Sequence, residues 1–544
     1  MSLFEAILKS RGLDGEAREL FLSPDYDARH DPFLLPDMQL AVDRLVRARD
    51  KQEHITIYGD YDIDGLTATT LLLEAFEAFG FRHVEAFIPN RFVEGYGLTM
   101  DAVEKITATG AQLIVTVDCG SLSEKEIVRA NELGVDVIVT DHHNVAPVQP
   151  PAVAVINPKR PDHQYPFIDL AGVGVAFKLV QALQTRLDGL PIGHEKWLLD
   201  LVALGTVCDV VTLVDENRAN VYWGLKVLAK TRRPGLKALM AVASVEPEKV
   251  NARSLGFGLG PRMNAAGRLE TARHALDMLR ATDGMVALEK AQQLDALNVA
   301  RRSDQDKIFK AAIEQAELFK TDPVLVVSHA DWNHGIIGIV AAKLLEEYKK
   351  PTYVLQEMGD EAKGSARSYG DFSAADAIRA ADDIITKGGG HKLAAGVTLP
   401  TANIAAFRQR VNEFYRAQNL FNQANLLLPK EDVSIETFTD VTEELLNQLE
   451  KLEPFGNGNP EPVLKAVTLL VTNQRRMGAD AQHVKLELQD AAGKKMQHIA
   501  FSAPPHFFVE PGEYVTIWFQ PGVNEWQGRR SVEGRLLHVE NETS

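Results

Sequence analysis

Between residues 51 and 283 short apolar runs alternate with stretches of helical periodicity. The runs HITIYGD from His54, HVEAFIPN from His83, LIVTVDCG from Leu113, VDVIVTDHH from Val135 and AVAVINP from Ala152 have strand length. They are rich in β-branched residues, which favour pleated, buried positions. Segments such as LTATTLLLEAFEAFG and LSEKEIVRANELG separate them and read as helices closed by glycine. Buried strands alternating with helices predict an α/β unit with a mostly parallel sheet. In such sheets ligands gather at the carboxyl ends of the strands. Residues 1–50, with AVDRLVRARD as an amphipathic helix, read as a helical N-terminal segment of the same core.

The pattern then changes twice. Residues 284–320, containing EKAQQLDALNVARRSDQDKIFKAAIEQAELF, predict one long polar-rich helix that connects two modules. A second, smaller α/β unit follows over 321–425, with strands at Pro323 and Pro351, a helix from Gly335 and the glycine-rich GGGHKLAAG from Gly388. From 426 to 544 five alternating segments, VLKAVTLLVTNQ, HVKLELQD, KMQHIAF, YVTIWFQ and RSVEGRLLHV, carry Gly, Pro and Asn between them. They predict a small β-barrel.

Candidate chemistry sits where the first strands end. The strand at Ile55 delivers Asp60, Asp62 and Asp64, then Gly65. Residues two apart on a strand share a face, so three carboxylates crowd together and call for a cation. Asp-x-Asp-x-Asp-Gly also opens a calcium-binding EF-hand, but the loop position that needs a bidentate Glu is Leu71 and no helix precedes the motif. Asp118 ends the third strand, Asp141, His142 and His143 end the fourth, and Asp209 lies between apolar runs in LVALGTVCDVVTL. Buried charge on so many separate segments is costly unless it is shared by a metal. Carboxylates with one or two imidazoles suit Mn²⁺ or Mg²⁺. Cys119 and Cys208 adjoin two of these acids without zinc-site spacing, and read as small core residues.

Length and charge add limits. The 544 residues exceed one typical core. The formal net charge of −17 argues against a generally basic nucleic-acid coat but leaves room for a local basic groove. No apolar run approaches a membrane span, the first residues lack signal-peptide shape, and two cysteines give no disulfide framework. A cytoplasmic, monomeric protein without membrane contact is expected.

Basic residues concentrate in what read as glycine-containing loops. GPRMNAAGRLETARH offers Arg262, Asn264, Arg268 and Arg273, KGSARS offers Lys363, Ser365 and Arg367, and PNRFVEGYG offers Arg91 and Tyr96. The planar guanidinium fork matches phosphate oxygens. In the barrel segment Arg475, Arg476, Lys485, Lys494, Trp526, Arg529 and Arg530 are strand-binding candidates, whereas Phe507, Phe508 and Trp518 read as core. GVGVAF at Gly172 lacks full dinucleotide-binding glycine spacing and reads as close helix packing. GGGHKLAAG lacks the Lys-Ser/Thr pair of a phosphate-loop ATPase.

GDYDIDG, TVDCG, TDHHN and TVCDVV fall in the order of the four motifs of the DHH phosphoesterase superfamily, and GGGHKLAAG resembles the signature of its accessory DHHA1 domain. PNRFVEGYGL, GPRMNAAGRL, KGSARS and LEPFGNGNPEPVL extend the resemblance to the RecJ family of bacterial exonucleases over nearly the whole chain. Two positions depart from many relatives: Ile63 stands where Ala is common, and Tyr58 where His is.

The resemblance implies a DHH catalytic domain over 51–283, a DHHA1 domain over 321–425 and an OB fold beyond. It implies that Asp62, Asp64, Asp118, His142 and Asp209 hold two Mn²⁺ or Mg²⁺ ions, with Asp60, Asp141 and His143 orienting ligands or meeting phosphate. Two such ions about 3.5–4 Å apart stabilise both the attacking and the leaving oxygen in phosphodiester hydrolysis. Arg91, Arg268 (or Arg262), Ser365 and Arg367 would hold the 5′ end or adjacent phosphates, with His391 across the cleft. The implied activity is 5′→3′ hydrolysis of single-stranded DNA in repair and recombination, alongside a RecQ-type helicase and a single-strand DNA-binding protein. The alternatives are a DHH phosphodiesterase of short oligonucleotides or cyclic dinucleotides, which needs no OB fold, and an inactive replication scaffold, which usually loses acidic ligands.

Overall fold

The computed structural model describes residues 1–418, 420, 426–526 and 528–542, and the side chain of Trp526 lies outside that description. The apolar runs become β1 (Ile55–Gly59), β2 (Val84–Phe87), β3 (Leu113–Val117), β4 (Asp136–Thr140) and β5 (Ala154–Ile156). All pair in parallel, in the order β2-β1-β3-β4-β5. β1 and β3 are neighbours from which the chain departs in opposite directions, so a crevice opens at their carboxyl ends.

The helical N-terminal segment divides between two cores. Phe4, Ile7 and Leu8 of α1 (Leu3–Ser10) pack into the barrel's core, whereas Ala41, Val42, Leu45 and Ala48 of α2 (Met38–Lys51) pack under the first sheet. Residues 1–50 are therefore not one piece of the catalytic core: the apolar stripe of α1 is completed by barrel residues far along the chain, which local periodicity does not reveal.

Five further helices position the crevice. α3 (Ile63–Ala78) follows β1 with Asp62 as its N-cap, accepting from the Gly65 N–H at 3.2 Å. α4 (Gly172–Gln184) and α5 (Leu199–Cys208) pack against it and each other, and α6 (Asp215–Leu228) packs against α5. GPRMNAAGRL, read from sequence as a loop, is α7 (Gly260–Leu269): Gly260 lets the helix approach Cys208, where a Cβ would lie 2.7 Å from Sγ.

The connector is a single helix, α8 (Gly284–Leu318). Its buried positions run Ala287, Ala291, Leu294, Asn298, Arg301, Gln305, Ile308, Ala312 and Ala316, a continuous 3–4 spacing. The first three belong to the catalytic core and the last three to a core of the second unit, so the polar trio marks the gap between them. That unit is a mixed sheet of β6 (Leu325–His329), β7 (Thr352–Met358), β8 (Glu361–Arg367), β9 (Lys387–Gly390) and β10 (Ala394–Pro400), in the order β6-β7-β8-β10-β9, with α9 (Ile337–Tyr348) against β7 and β8. KGSARS lies on β8 and is likewise not a loop. Its alternating burial against β7 and β10 shows why small residues are needed there.

The last module comprises β11 (Val433–Ile435), β12 (Leu464–Met477), β13 (His483–Gln489), β14 (Lys495–Ala500), β15 (Tyr514–Trp526) and β16 (Arg529–Asn541). Pairing of β12 with both β13 and β15 closes a five-strand barrel, and β11 adds to its edge. No helix among the described residues is long and apolar enough to cross a membrane.

Because Ile7 is fully buried in the barrel core, Ile7→Ala should destabilise that module by about 2–5 kcal/mol. Denaturant unfolding followed by tryptophan fluorescence should show an earlier barrel transition.

Candidate active site

The ends of β1, β3 and β4 deliver the acids to one crevice. Asp60 and Asp118 directly follow β1 and β3, and Asp118 takes a left-handed backbone with φ 62°. Asp64, in the first turn of α3, accepts from the Gly172 N–H at 2.6 Å and the Val173 N–H at 2.8 Å at the start of α4. A Cβ on Gly172 would fall 2.8 Å from the Asp118 side chain, so GVGVAF does more than pack: it braces one candidate ligand and makes room for another. Asp209 leaves the end of α5 toward the same space.

His142 Nε2 lies 3.0 Å from Asp118 Oδ1, 3.5 Å from Asp209 Oδ2 and 3.8 Å from Asp64 Oδ2. It makes no hydrogen bond with any of them, and Asp118 Oδ1 and Asp60 Oδ1 are also buried without a partner. Three sets of ligand atoms lie within 4.8 Å of one another among the described residues: Asp60, Asp62 and Asp118; Asp64, His142 and Asp209; and Asp118, His142 and His143. Asp118 and His142 each recur, which is the arrangement of two adjoining ion sites. The orphaned atoms and hard oxygen donors fit a divalent pair such as Mn²⁺ or Mg²⁺.

Electrostatics point the same way. Burial, then the Asp62 charge, raises Asp64 to about 7. Burial with Asp64 and Asp62 raises Asp209 to about 9. Asp60 and Asp118 are pushed well above the carboxylate range, mainly by burial and then by neighbouring aspartates. Burial and the nearby His143 lower His142 to about 3, leaving its imidazole neutral and able to ligate. Asp141 differs: despite burial, bonds from His143 hold it below the usual range. It accepts from Ser121 N–H, His142 N–H, His143 N–H and His143 Nδ1 at 2.7–3.0 Å, which makes it a brace. Burial lowers His143, but its Asp141 bond dominates and raises it. Tyr96 stands edge-on to His143, with ring centroids 5.4 Å apart. Asp60, read from sequence as supporting, offers an oxygen within 4.8 Å of ligand atoms of Asp62 and Asp118. Tyr58, where relatives carry His, is fully buried, stacks on Phe87 and donates to the Gly97 carbonyl at 2.8 Å.

A cationic wall faces the acids. Arg268 is lowered to about 10 by burial and then by Arg91, Arg301 and Arg367, a cluster of like charges that an anion would neutralise. Arg91 stacks over Tyr61 at 4.3 Å with its Nε unpartnered, and Arg268 donates to the Gly335 carbonyl at 2.9 Å. Ser365 and Arg367 meet beside Gly338, where a Cβ would lie 3.4 and 3.3 Å from Oγ and Nη2. Arg262 is instead paired with Asp295 at 2.8 Å, and Arg273 with Asp277 at 2.9 Å, so both are engaged in structural pairs. Exposed His391 lies 3.4 Å from Asn144, just after His143.

A cavity of about 940 Å³ continues from this wall between the three modules, lined by Asn264, Arg268, Arg301, Phe257, Lys343 and Arg535. Sequence reading missed Arg301 and the exposed Phe257. The signal for Arg301 was the Asn298, Arg301 and Gln305 stripe, polar at the spacing of a buried face. On the barrel, Lys485 is tied to Glu533 at 2.8 Å and Arg476 lies over Phe508 at 4.5 Å, while Arg475, Lys494, Arg529 and Arg530 are exposed.

A parallel sheet whose strand ends gather six aspartates and two histidines, facing an arginine wall, defines a metal-dependent phosphoesterase of the DHH type. Family models agree: the DHH family N-terminal domain matches residues 54–206, the DHHA1 domain 321–417 and the RecJ OB domain 432–538. The chain is 38% identical to the single-stranded-DNA-specific exonuclease RecJ of Bacillus subtilis, over 98% of this chain and 67% of that protein. It is 35% identical to the Escherichia coli exonuclease of that name, over 92% of this chain and 89% of that protein. RecJ from Thermus thermophilus in complex with Mn²⁺ superposes with a TM-score of 0.83 at 29% identity, covering 99% of this chain and 76% of that one. The chain belongs to the RecJ family of exonucleases.

Asp118 tests the electrostatic account. An acid whose folded pKa is raised holds its proton after the unfolded chain has released its own, so folding stability falls as pH rises above the unfolded value of about 4. In metal-free protein Asp118→Asn should therefore raise the melting temperature at pH 8, with the gain shrinking toward pH 4. Calorimetric melts in chelator measure it, and Mn²⁺ should stabilise the wild type more than the variant.

Proposed function

We propose that the protein is a two-metal exonuclease that hydrolyses phosphodiester bonds of single-stranded DNA from the 5′ end. The observation that carries this reading is the three overlapping ligand sets, linked through Asp118 and His142, with the Arg91, Arg268, Arg301 and Arg367 cluster near enough to feel the charges of Asp60 and Asp62. Asp60, Asp62, Asp64, Asp118, His142 and Asp209 would hold the ions. Bound there, the pair supplies positive charge that activates water and stabilises the attacking and leaving oxygens.

The chain's own groups do the rest. The Gly172 and Val173 amides fix Asp64, Asp141 fixes both histidines through its backbone and ring bonds, and the neutral imidazole of His142 keeps its lone pair. With Nδ1 of His143 committed to Asp141, Nε2 is the edge left for a phosphate oxygen. Arg91, Arg268, Ser365 and Arg367 grip the terminal phosphate, Tyr96 and His391 border it, and Asn264 and Arg301 line the path of the following nucleotides. Phe257, exposed beside that path, offers a stacking face for a base. A dinucleotide-sized substrate would leave this path and the barrel without a use, which favours a strand. The same reading assigns the protein to DNA repair and recombination in the cytoplasm, with a RecQ-type helicase and a single-strand DNA-binding protein as partners.

A single strand labelled differently at its two ends, incubated with Mn²⁺ or Mg²⁺, should lose the 5′ label first as a mononucleotide. Release of the 3′ label first, or internal cutting, defeats the reading. Asp64→Ala should lower kcat more than about 100-fold. Arg367→Ala, removing charge-assisted bonds worth about 1.5–3 kcal/mol, should raise KM about 10- to 100-fold and erase any preference for a 5′-phosphorylated end.

A further inference from the structure

We infer that Asn457, in the loop that leads into β12 of the barrel, is a positioning residue for the metal centre in the first sheet. The inference rests on the reading of Asp209 as a ligand of that centre.

Asp209 caps α5, its N–H donating to the Gly205 carbonyl at 2.9 Å, and the Val210 N–H still reaches the Val207 carbonyl at 3.3 Å. The chain then turns through Val210 at φ 62°, a left-handed conformation that a β-branched side chain resists. Val210 is 65% exposed, so packing of its own side chain does not hold it there. A backbone of this kind persists only where its surroundings over-determine it.

The barrel supplies that constraint. Asn457 Nδ2 donates to the Val210 carbonyl at 2.9 Å, and the Leu213 N–H donates to the Asn457 carbonyl at 2.7 Å. One residue thus grips both ends of the segment that leaves Asp209. From the catalytic side Asn217 donates to the carbonyls of Thr212 and Asp169 at 3.0 and 2.6 Å.

The grip is itself stiff. Gly456 and Asn459 exchange backbone bonds at 2.8 and 3.1 Å across a tight turn. The buried Asn459 side chain donates to the carbonyls of Leu452 and Pro454 and accepts from Arg11 at 2.9 Å. Gly458 has φ 74°, and a Cβ there would lie 3.2 Å from Thr212 Cβ, so the loop is fitted to the segment it holds. LEPFGNGNPEPVL thereby connects the barrel to the ligand set of the first sheet, and the aim of the Asp209 carboxylate depends on a residue about 250 positions away in sequence, by the reach of that hydrogen bond.

Calorimetric Mn²⁺ titration of the full-length protein tests this. Asn457→Ala should weaken Mn²⁺ binding about tenfold and lower kcat, with single-strand affinity measured in chelator unchanged. In a Val210→Gly background, where glycine adopts the left-handed turn freely, Asn457→Ala should lose most of that effect. Wild-type Mn²⁺ affinity in Asn457→Ala overturns the inference, as does a full penalty in the Val210→Gly background. Weakened strand binding with Mn²⁺ affinity intact also overturns it, and makes Asn457 a DNA contact instead. Asp209→Asn serves as the separate control: unchanged Mn²⁺ affinity there defeats the metal reading itself, whatever Asn457 does.

Discussion

Asp60, Asp64 and Asp118 are almost completely buried in the crevice between β1 and β3, with Asp62 and Asp209 beside them. Two like charges 4 Å apart repel by about 4 kcal/mol at an effective dielectric constant of 20. The protein answers this repulsion in two ways. It surrounds the acids with dipoles aimed inward, the Gly172 and Val173 amides for Asp64 and four donors for Asp141, and it leaves oxygens on Asp60 and Asp118 unmatched. Those unmatched atoms are the part of the repulsion that a pair of divalent cations relieves.

The architecture around the crevice follows from keeping such a centre open to a long anionic substrate. A single helix, α8, lends its apolar face to the catalytic core at one end and to the second unit at the other. Between them it turns Asn298, Arg301 and Gln305 inward, because that stretch faces a cavity rather than a core. The arginines on α7, α8 and β8 repel one another as the aspartates do, and the two like-charged groups confront each other across the cleft. Among the described residues Arg268, Arg301 and Arg367 donate to carbonyl and amide oxygens rather than to carboxylates. A phosphodiester together with cations completes both.

Much of the candidate metal centre was legible because strand ends are written plainly. β-branched runs that stop at Asp60, Asp118 and Asp141 announce carboxyl ends, where an α/β sheet binds its ligands. The arginines were recognised by type but misplaced: glycine beside alanine in GPRMNAAGRL and KGSARS suggested loops, whereas the glycines serve close approach of a helix and a strand. Contacts between distant segments were not legible. Asp64 is braced by amides 108 residues away, and α1 belongs to a barrel whose strands begin more than 400 residues later by the reach of the Arg11–Asp432 bond. Arg301 was hidden within a helix whose overall polarity masked which face was buried.

Two ions in the crevice between β1 and β3 would relieve the repulsion among its aspartates. Anomalous diffraction from crystals grown with Mn²⁺ addresses this directly. The account predicts two peaks, about 3.5–4 Å apart, among Asp60, Asp62, Asp64, Asp118, His142 and Asp209. A single peak, or manganese bound anywhere other than these side chains, would contradict it.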